Sequence, residues 1–429
     1  MLHLGYFWKE HKLLLFVFIF LVIIFSVWGI LHATLSYCRE NVPGRSGFGR
    51  SPVLDQAAVD QSYTLIAPFA IKHFFEDPGM VYLVDLYGKP VHTWKTKYQT
   101  MYAALKKNGH LMVAMIRPAD LLKDPGGGGT GVLQELDWHG AVLWEYKNDL
   151  LHHDFEILPS GNIATLMWEK TSEDKKKRII GGKENSKGPD MWEDAIVEID
   201  RSGKEIWRWT LSEHLELGKY PLDPVVPRSD WSHGNSVRYY ETNPISNKPI
   251  YLISLRHLSR VLMIDRESGK IIWESPEKML AYQHDATLLP SGNILAFDNG
   301  TYRAEQPTFP WSRVAEIDPH TNRIVWELNG GGTPLEKVRM DASIMSGTQR
   351  LKNGNTFITL NAVTGHLVEV DANKRLIWEM INPYLSAQSG PFGNNSIFKA
   401  NRYSPDEIDW PEKIAPPLPQ LPELCRGII

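Results

Sequence analysis

The chain has 429 residues, 43% of them hydrophobic and 11% aromatic, and its 46 Lys and Arg nearly balance 50 Asp and Glu, for a formal charge of −4. No basic stripe stands out, which argues against a nucleic-acid partner, and the Lys175-Lys176-Lys177-Arg178 run sits beside Glu173 and Asp174 as in a solvated loop. Cys38 and Cys425 lie outside any Cys-x-x-Cys pattern and away from His, which argues against a thiol nucleophile or a cysteine-built zinc site.

In chain order, a short segment over residues 1–12 ends at Lys9, Glu10, His11 and Lys12. The run from Leu13 to Leu31 carries no charge, enough to span a bilayer, so residues 13–33 are predicted to form a single transmembrane anchor. Lys9 and Lys12 place its start in the cytoplasm and the rest of the chain on the periplasmic or extracytoplasmic side. Residues 34–60 form a linker, Gly-, Ser-, Arg- and Pro-rich over 41–52. The globular part is expected over residues 61–410. After Trp410 the tail, residues 411–429, is studded with Pro416, Pro417, Pro419 and Pro422 and reads as extended and outside the fold.

Within 61–410 one unit repeats: an apolar strand ending in Asp, a turn, then an apolar strand ending in Trp. It occurs at Asp85 with Trp94, Asp137 with Trp144, Asp200 with Trp207, Asp265 with Trp273, Asp318 with Trp326 and Asp371 with Trp378. Successive tryptophans are 50, 63, 66, 53 and 52 residues apart, the spacing of propeller blades with insertions. The fold class is therefore all-β, a six-bladed β-propeller. The N-terminal strands lack an inner partner unless Ile397 to Tyr403 supplies it, so strands from both termini close the ring.

A second unit opens on His-Asp and ends in a Pro-Ser-Gly-Asn turn: His153-Asp154 with Gly161-Asn162, and His284-Asp285 with Gly292-Asn293. The run between is too short for a helix, and Gly-Asn suits a hairpin. Counting back from each hairpin Gly by the same offset aligns His153 and His284, and Asp230-Trp231-Ser232-His233-Gly234-Asn235-Ser236 puts His233 in the same place. The short turns fall on one face of the wheel. The long connections, including Pro118 to Thr130 with its Gly126–Gly129 run and Lys170 to Trp192, share the other face with the histidines. The glycine run has no Lys-Ser/Thr after it and reads as a flexible loop.

Three imidazoles thus meet at one channel mouth, where the strand ending in Arg256 also arrives, and Asp298-Asn299-Gly300 one blade on. Three His at a point is a common zinc set. Alternatively, a neutral imidazole is a nucleophile while cationic neighbours hold an anionic group, which a permanent Arg256 cation favours. Asn235, Asp298 and Asn299 are candidate polar substrate contacts, and Tyr282, Trp231, Tyr302 and Trp311 candidate stacking surfaces.

The set Gln283-His284-Asp285 through Leu295, Phe297-Asp298-Asn299-Gly300, Asp230 through Ser236, and Ser254-Leu255-Arg256 resembles the bacterial arylsulfate sulfotransferases. The resemblance covers most of Gly79 to Tyr403. It implies a six-bladed propeller that moves a sulfuryl group from an aryl sulfate to a phenol with no nucleotide donor, cofactor or metal. It also implies that His284 becomes transiently sulfated, while His153, His233 and Arg256 bind sulfuryl oxygens and assist the leaving phenol. His152 competes with His153 for its role, and the repeat register favours His153. The rival expectation is a non-catalytic, membrane-tethered propeller serving as a binding or assembly platform.

Overall fold

The computed structural model describes residues 20–34, 53, 55–68, 78–117, 125–184, 190–303, 311–329, 340–385 and 395–419. Its core is six four-stranded antiparallel sheets, as the repeats predict. From the axis outward, blade 1 is Asn401–Tyr403, Tyr63–Ile66, Met80–Val84 and Pro90–Lys95. Blade 2 begins with Gln99–Leu105, blade 3 with Leu151–Ile157, blade 4 with Gly234–Tyr240, blade 5 with His284–Leu288 and blade 6 with Gly347–Arg350. These first strands pack on one another around the axis.

Closure combines both ends of the chain. Tyr63 pairs with Tyr403, Thr64 with Arg402 and Leu65 with Asn401, and Val53 forms a bridge to Trp378 of blade 6. The docked chain therefore starts earlier than the expected linker end at residue 60. Asp55 N–H donates to Ile377 O (3.2 Å), and Asp60 N–H to Glu369 Oε1 (2.8 Å). The tail likewise departs from its expected position. Over 411–419 it has no regular structure, yet Tyr63 Oη donates to Ala415 O (2.7 Å) and Leu86 N–H to Pro417 O (2.7 Å). Residues 411–419 thus lie along blades 1 and 2 rather than clear of the fold, and Pro422 lies outside the described residues.

Both residue types that recur in the first repeat have structural jobs. Each Asp accepts backbone N–H groups of its own outer turn, as Asp137 does from Ala141 (2.8 Å) and Asp200 from Ser202 (2.8 Å). Each Trp donates its indole N–H to the corresponding turn of the next blade. Trp94 reaches Asp137 O (3.0 Å), Trp144 reaches Arg201 O (3.0 Å), and Trp378 closes the circle at Leu86 O (2.7 Å). Blade 3 differs from the expected register: Trp209, not Trp207, donates to Gly269 O (2.8 Å). Trp207 stacks instead on Tyr251, 5.2 Å between ring centres.

Residues 20–34 form a helix, exposed along its apolar side chains from Phe20 to Leu31. Among the described residues no helix is long and apolar enough to cross a membrane. Residues 13–19 of the expected anchor, most of the linker, Cys38 and Cys425 lie outside the described residues. The Lys170 to Trp192 insertion includes the short helix Glu173–Arg178, where the basic run expected in a loop actually lies, and the strand Gly181–Lys183, paired in parallel with Leu222–Pro227.

Candidate active site

At the loop-rich mouth, the inner strands of blades 2 to 5 all break their ladder register at the same level: between Thr100 and Tyr102, His152 and Phe155, Gly234 and Ser236, and His284 and Thr287. A bulge of this kind re-aims side chains that a regular strand would point across the sheet. His153, His233 and Asp285 take left-handed backbone angles (φ 52°, 52° and 50°), uncommon for residues other than glycine. The two His-Asp pairs divide their labour accordingly. Their imidazoles turn to the mouth, while Asp154 and Asp285 meet Lys399 (2.8 and 2.9 Å) and Arg238 (2.9 and 2.8 Å) on the channel axis. Two carboxylates and two cations seal the channel beneath the histidines.

The three histidines come together with Arg256. The His153 and His233 rings lie 4.7 Å apart, and burial together with Arg256 lowers the proton affinity of His153, His233 and His284 alike. His153 also feels His284, His284 feels His233, and His233 falls to about 3. All three are therefore neutral near pH 7. Arg256 is itself buried, which lowers its affinity, but it remains a guanidinium in this range.

Hydrogen bonds fix the tautomer of His284. Asn299 Nδ2 donates to the carbonyls of Ala342 (2.6 Å) and Met345 (3.0 Å), so its Oδ1 must face His284 Nδ1 (2.8 Å) and accept from it. The Nδ1 proton is thereby assigned, and Nε2 carries a free lone pair. Asn299 is thus a positioning residue rather than the substrate contact expected. His233 Nδ1 is held by the buried carboxylate of Asp230, leaving its Nε2 to face the mouth. Behind His153 lies His152, with Nδ1 atoms 3.0 Å apart; His152 stacks on Trp168 (4.6 Å), and its Nε2 is 3.4 Å from Asp194. The register thus separates the two candidates: His153 meets His233, and His152 supports it from behind.

Other expected contacts are spoken for. Asp298 accepts from Ala281 N–H (2.9 Å), Arg303 (2.6 Å) and Arg313 (2.8 Å), so it locks the loop after blade 5 and offers a substrate nothing. Trp231 is core, 1% exposed, its indole donating to Thr171 Oγ1 (3.1 Å). Trp311 lies under Arg303, 5.1 Å from its ring centre. Asn235 Nδ2 donates to Gln283 O (2.8 Å), steadying the backbone just before His284. Tyr282 does face the site: the Arg256 guanidinium lies 5.0 Å from its ring centre, and its hydroxyl donates to Asp223 (2.9 Å).

Three participants escaped sequence reasoning. His257 sits beside Arg256, its Nε2 2.9 Å from Nη1, and its ring is 4.6 Å from His233. Asp230 stands three residues before His233, a spacing that could have flagged it. The glycine run is a roof over His153 rather than a free loop: Gly128 O accepts from His153 N–H (2.8 Å), and a Cβ on Gly128 would lie only 2.1 Å from Cε1 of the His153 ring. A zinc site is a poor fit to this donor set. Asp230, His233 and His257 could offer ligand atoms within 4.8 Å of one another, but the first two are bonded together, and Arg256 faces the free nitrogen of the third. A guanidinium repels a metal ion there.

Residues 113–383 match the family model described as arylsulfotransferase (ASST). The chain belongs to the arylsulfotransferase (ASST) family. The family membership makes it a sulfotransferase enzyme, and aryl sulfates and phenols are the substrates the family points to. No curated protein matches it. Solved structures similar to this ASST-family chain include a protein of unknown function from Bacteroides caccae (13% identity over 80% of this chain and 99% of that one, TM-score 0.46). The Dos1 propeller (11%, 79% and 84%, 0.40) and apo AztD from Citrobacter koseri (10%, 80% and 98%, 0.41) are others.

Proposed function

We propose that the protein transfers a sulfuryl group from an aryl sulfate to a phenol through a sulfo-histidine at His284. The observation that carries this reading is the pair of bonds that pins Asn299 and leaves His284 Nε2 an unprotonated lone pair in a buried mouth beside Arg256. In the first half-reaction Nε2 bonds to sulfur and the sulfur–oxygen bond to the aryl group breaks. The departing electron pair goes to the phenolate oxygen. Arg256 offsets charge on the sulfuryl oxygens. His233 takes a proton from solvent at Nε2 as the anionic ester binds, because the ester offsets the repulsion from Arg256 and the Asp230 carboxylate supports the imidazolium, and then gives that proton to the phenolate. In the second half an acceptor phenol returns a proton to His233, its oxygen attacks sulfur, and the nitrogen–sulfur pair reverts to His284. His153 hydrogen-bonds the sulfuryl group between them. Atoms and charges balance without a cofactor.

The apolar, outward-facing helix over 20–34, continuous with the uncharged run from Leu13, supports a membrane anchor that presents the propeller on the extracytoplasmic side. Purified protein given para-nitrophenyl sulfate and phenol is expected to release para-nitrophenol in a burst and to carry sulfate on His284 by peptide mass mapping. His284→Ala should do neither. Equal release by His284→Ala would eliminate the nucleophile, and no release by either protein would favour a binding platform.

A further inference from the structure

Beside the mouth, between the blade 4 turn at His257 to Arg260 and the approach to blade 5 at Leu280 to Tyr282, lies a cavity of about 360 Å³. That is a usual size for a small-ligand pocket. It is continuous with the site through its own walls, since Tyr282 lies against the Arg256 guanidinium and His257 bonds Arg256 while packing on His233. Tyr302, whose ring centre is 5.3 Å from that of Tyr282, adds a second aromatic wall.

The charged groups of the pocket differ in their commitments. Arg303 is paired with Asp298, Lys219 with Glu216, and Asp223 accepts the Tyr282 hydroxyl. Glu277 and Lys278 are exposed neighbours at the rim. Arg260 stands apart. Among the described residues it forms no ion pair, its guanidinium makes one long bond from Nη1 to Ser259 O (3.3 Å), and its Nε is buried without a hydrogen-bond partner. A half-buried guanidinium with unmet donors is costly to maintain and is the natural fork for a carboxylate.

Resting on the sulfuryl-transfer reading, we infer that this pocket selects phenolic acceptors bearing a carboxylate, which Arg260 binds while the aromatic ring lies against the edge-to-face pair of Tyr282 and Tyr302. The test compares para-hydroxyphenylacetate with its neutral methyl ester as acceptors. The wild-type protein is expected to prefer the acid, and Arg260→Gln to lower the acid-to-ester ratio of kcat/KM by about ten- to a hundredfold. Arg260→Lys should keep part of the preference. An unchanged ratio in Arg260→Gln, or no preference in the wild type, overturns the inference. A second measurement needs no turnover: calorimetric titration of para-hydroxyphenylacetate into His284→Ala and into the His284→Ala/Arg260→Gln double variant. Saturable binding lost with Arg260 upholds the pocket even if the protein transfers no sulfuryl group. Absent or equal binding in the two sinks the pocket and leaves the nucleophile untouched.

Discussion

His284 illustrates how one amide decides what an imidazole can do. Because two carbonyls claim both protons of the Asn299 side chain, its oxygen is the face left for His284 Nδ1. Asn299→Ala removes that restraint and frees the ring to adopt the other tautomer. The expected outcome is a fall in kcat of about 10- to 100-fold with little change in melting temperature or in KM for the donor, measured by steady-state release of para-nitrophenol. A matching rise in KM would mean that Asn299 contacts substrate after all. The sequence showed His284, His233 and His153 through their matched positions and Arg256 as the end of the strand returning to them, but Asn299 was legible only as a polar neighbour. Which atom of an amide faces which ring depends on the Ala342 to Met345 segment, over forty residues away, and no local pattern encodes it.

At the scale of the strand, the four aligned bulges explain why His and Asp travel as a pair. In a regular strand the two side chains would point to opposite faces of the sheet. The bulge sends one to the mouth and the other down the axis, where Asp154 and Asp285 hold Lys399 and Arg238. Lys399, 2% exposed, is the keystone of that plug. Lys399→Met leaves two buried carboxylates sharing one guanidinium and is expected to cost about 3–5 kcal/mol of stability in urea unfolding. A cost below about 1 kcal/mol would show the plug to be hydrated and loosely coupled. The repeat spacing announced the strands and their turns. The pairing partner of the His-Asp motif was invisible, because Lys399 comes from the last turn of the wheel and carries no repeat signature. Trp207 departs from expectation for a related reason. Both Trp207 and Trp209 fit an alternating strand, and only the neighbouring Gly269 carbonyl chooses between them.

For the molecule as a whole, a mouth lined with neutral imidazoles has a cost that depends on pH. Burial brings His152, His233 and His257 to about 3, and His153 and His284 well below 6.5. Between about pH 6.5 and 3 the unfolded chain binds protons that the folded one refuses, so these groups make stability fall as pH falls. Glu156, raised to about 7, and Asp85, raised to about 6, both by burial, act in the opposite sense, because the folded state holds their protons at pH values where the unfolded chain has released them. Asp194 is raised too, by burial and by Asp230. Glu193 and Asp341 are raised by burial as well. Asp285, lowered by Lys399 and Arg238 against its burial, sides with the five histidines, and together these outweigh the five raised carboxylates. The melting temperature is therefore expected to decline from pH 6.5 towards 4 and more steeply below 4, where the carboxylates no longer compensate. Circular-dichroism melts across that range check it, and a flat or rising curve would contradict the neutral state of the mouth.

The strand Asn401–Tyr403 completes the sheet that Tyr63–Ile66 begins, and more than three hundred residues separate them. During synthesis the first blade leaves the ribosome with its axial edge bare, and five further blades must emerge before its partner exists. The wheel is consequently latched rather than grown. Its histidine-lined mouth, which draws on blades 3, 4 and 5 and on a roof from blade 2, takes its final shape only when the last rung snaps into the first.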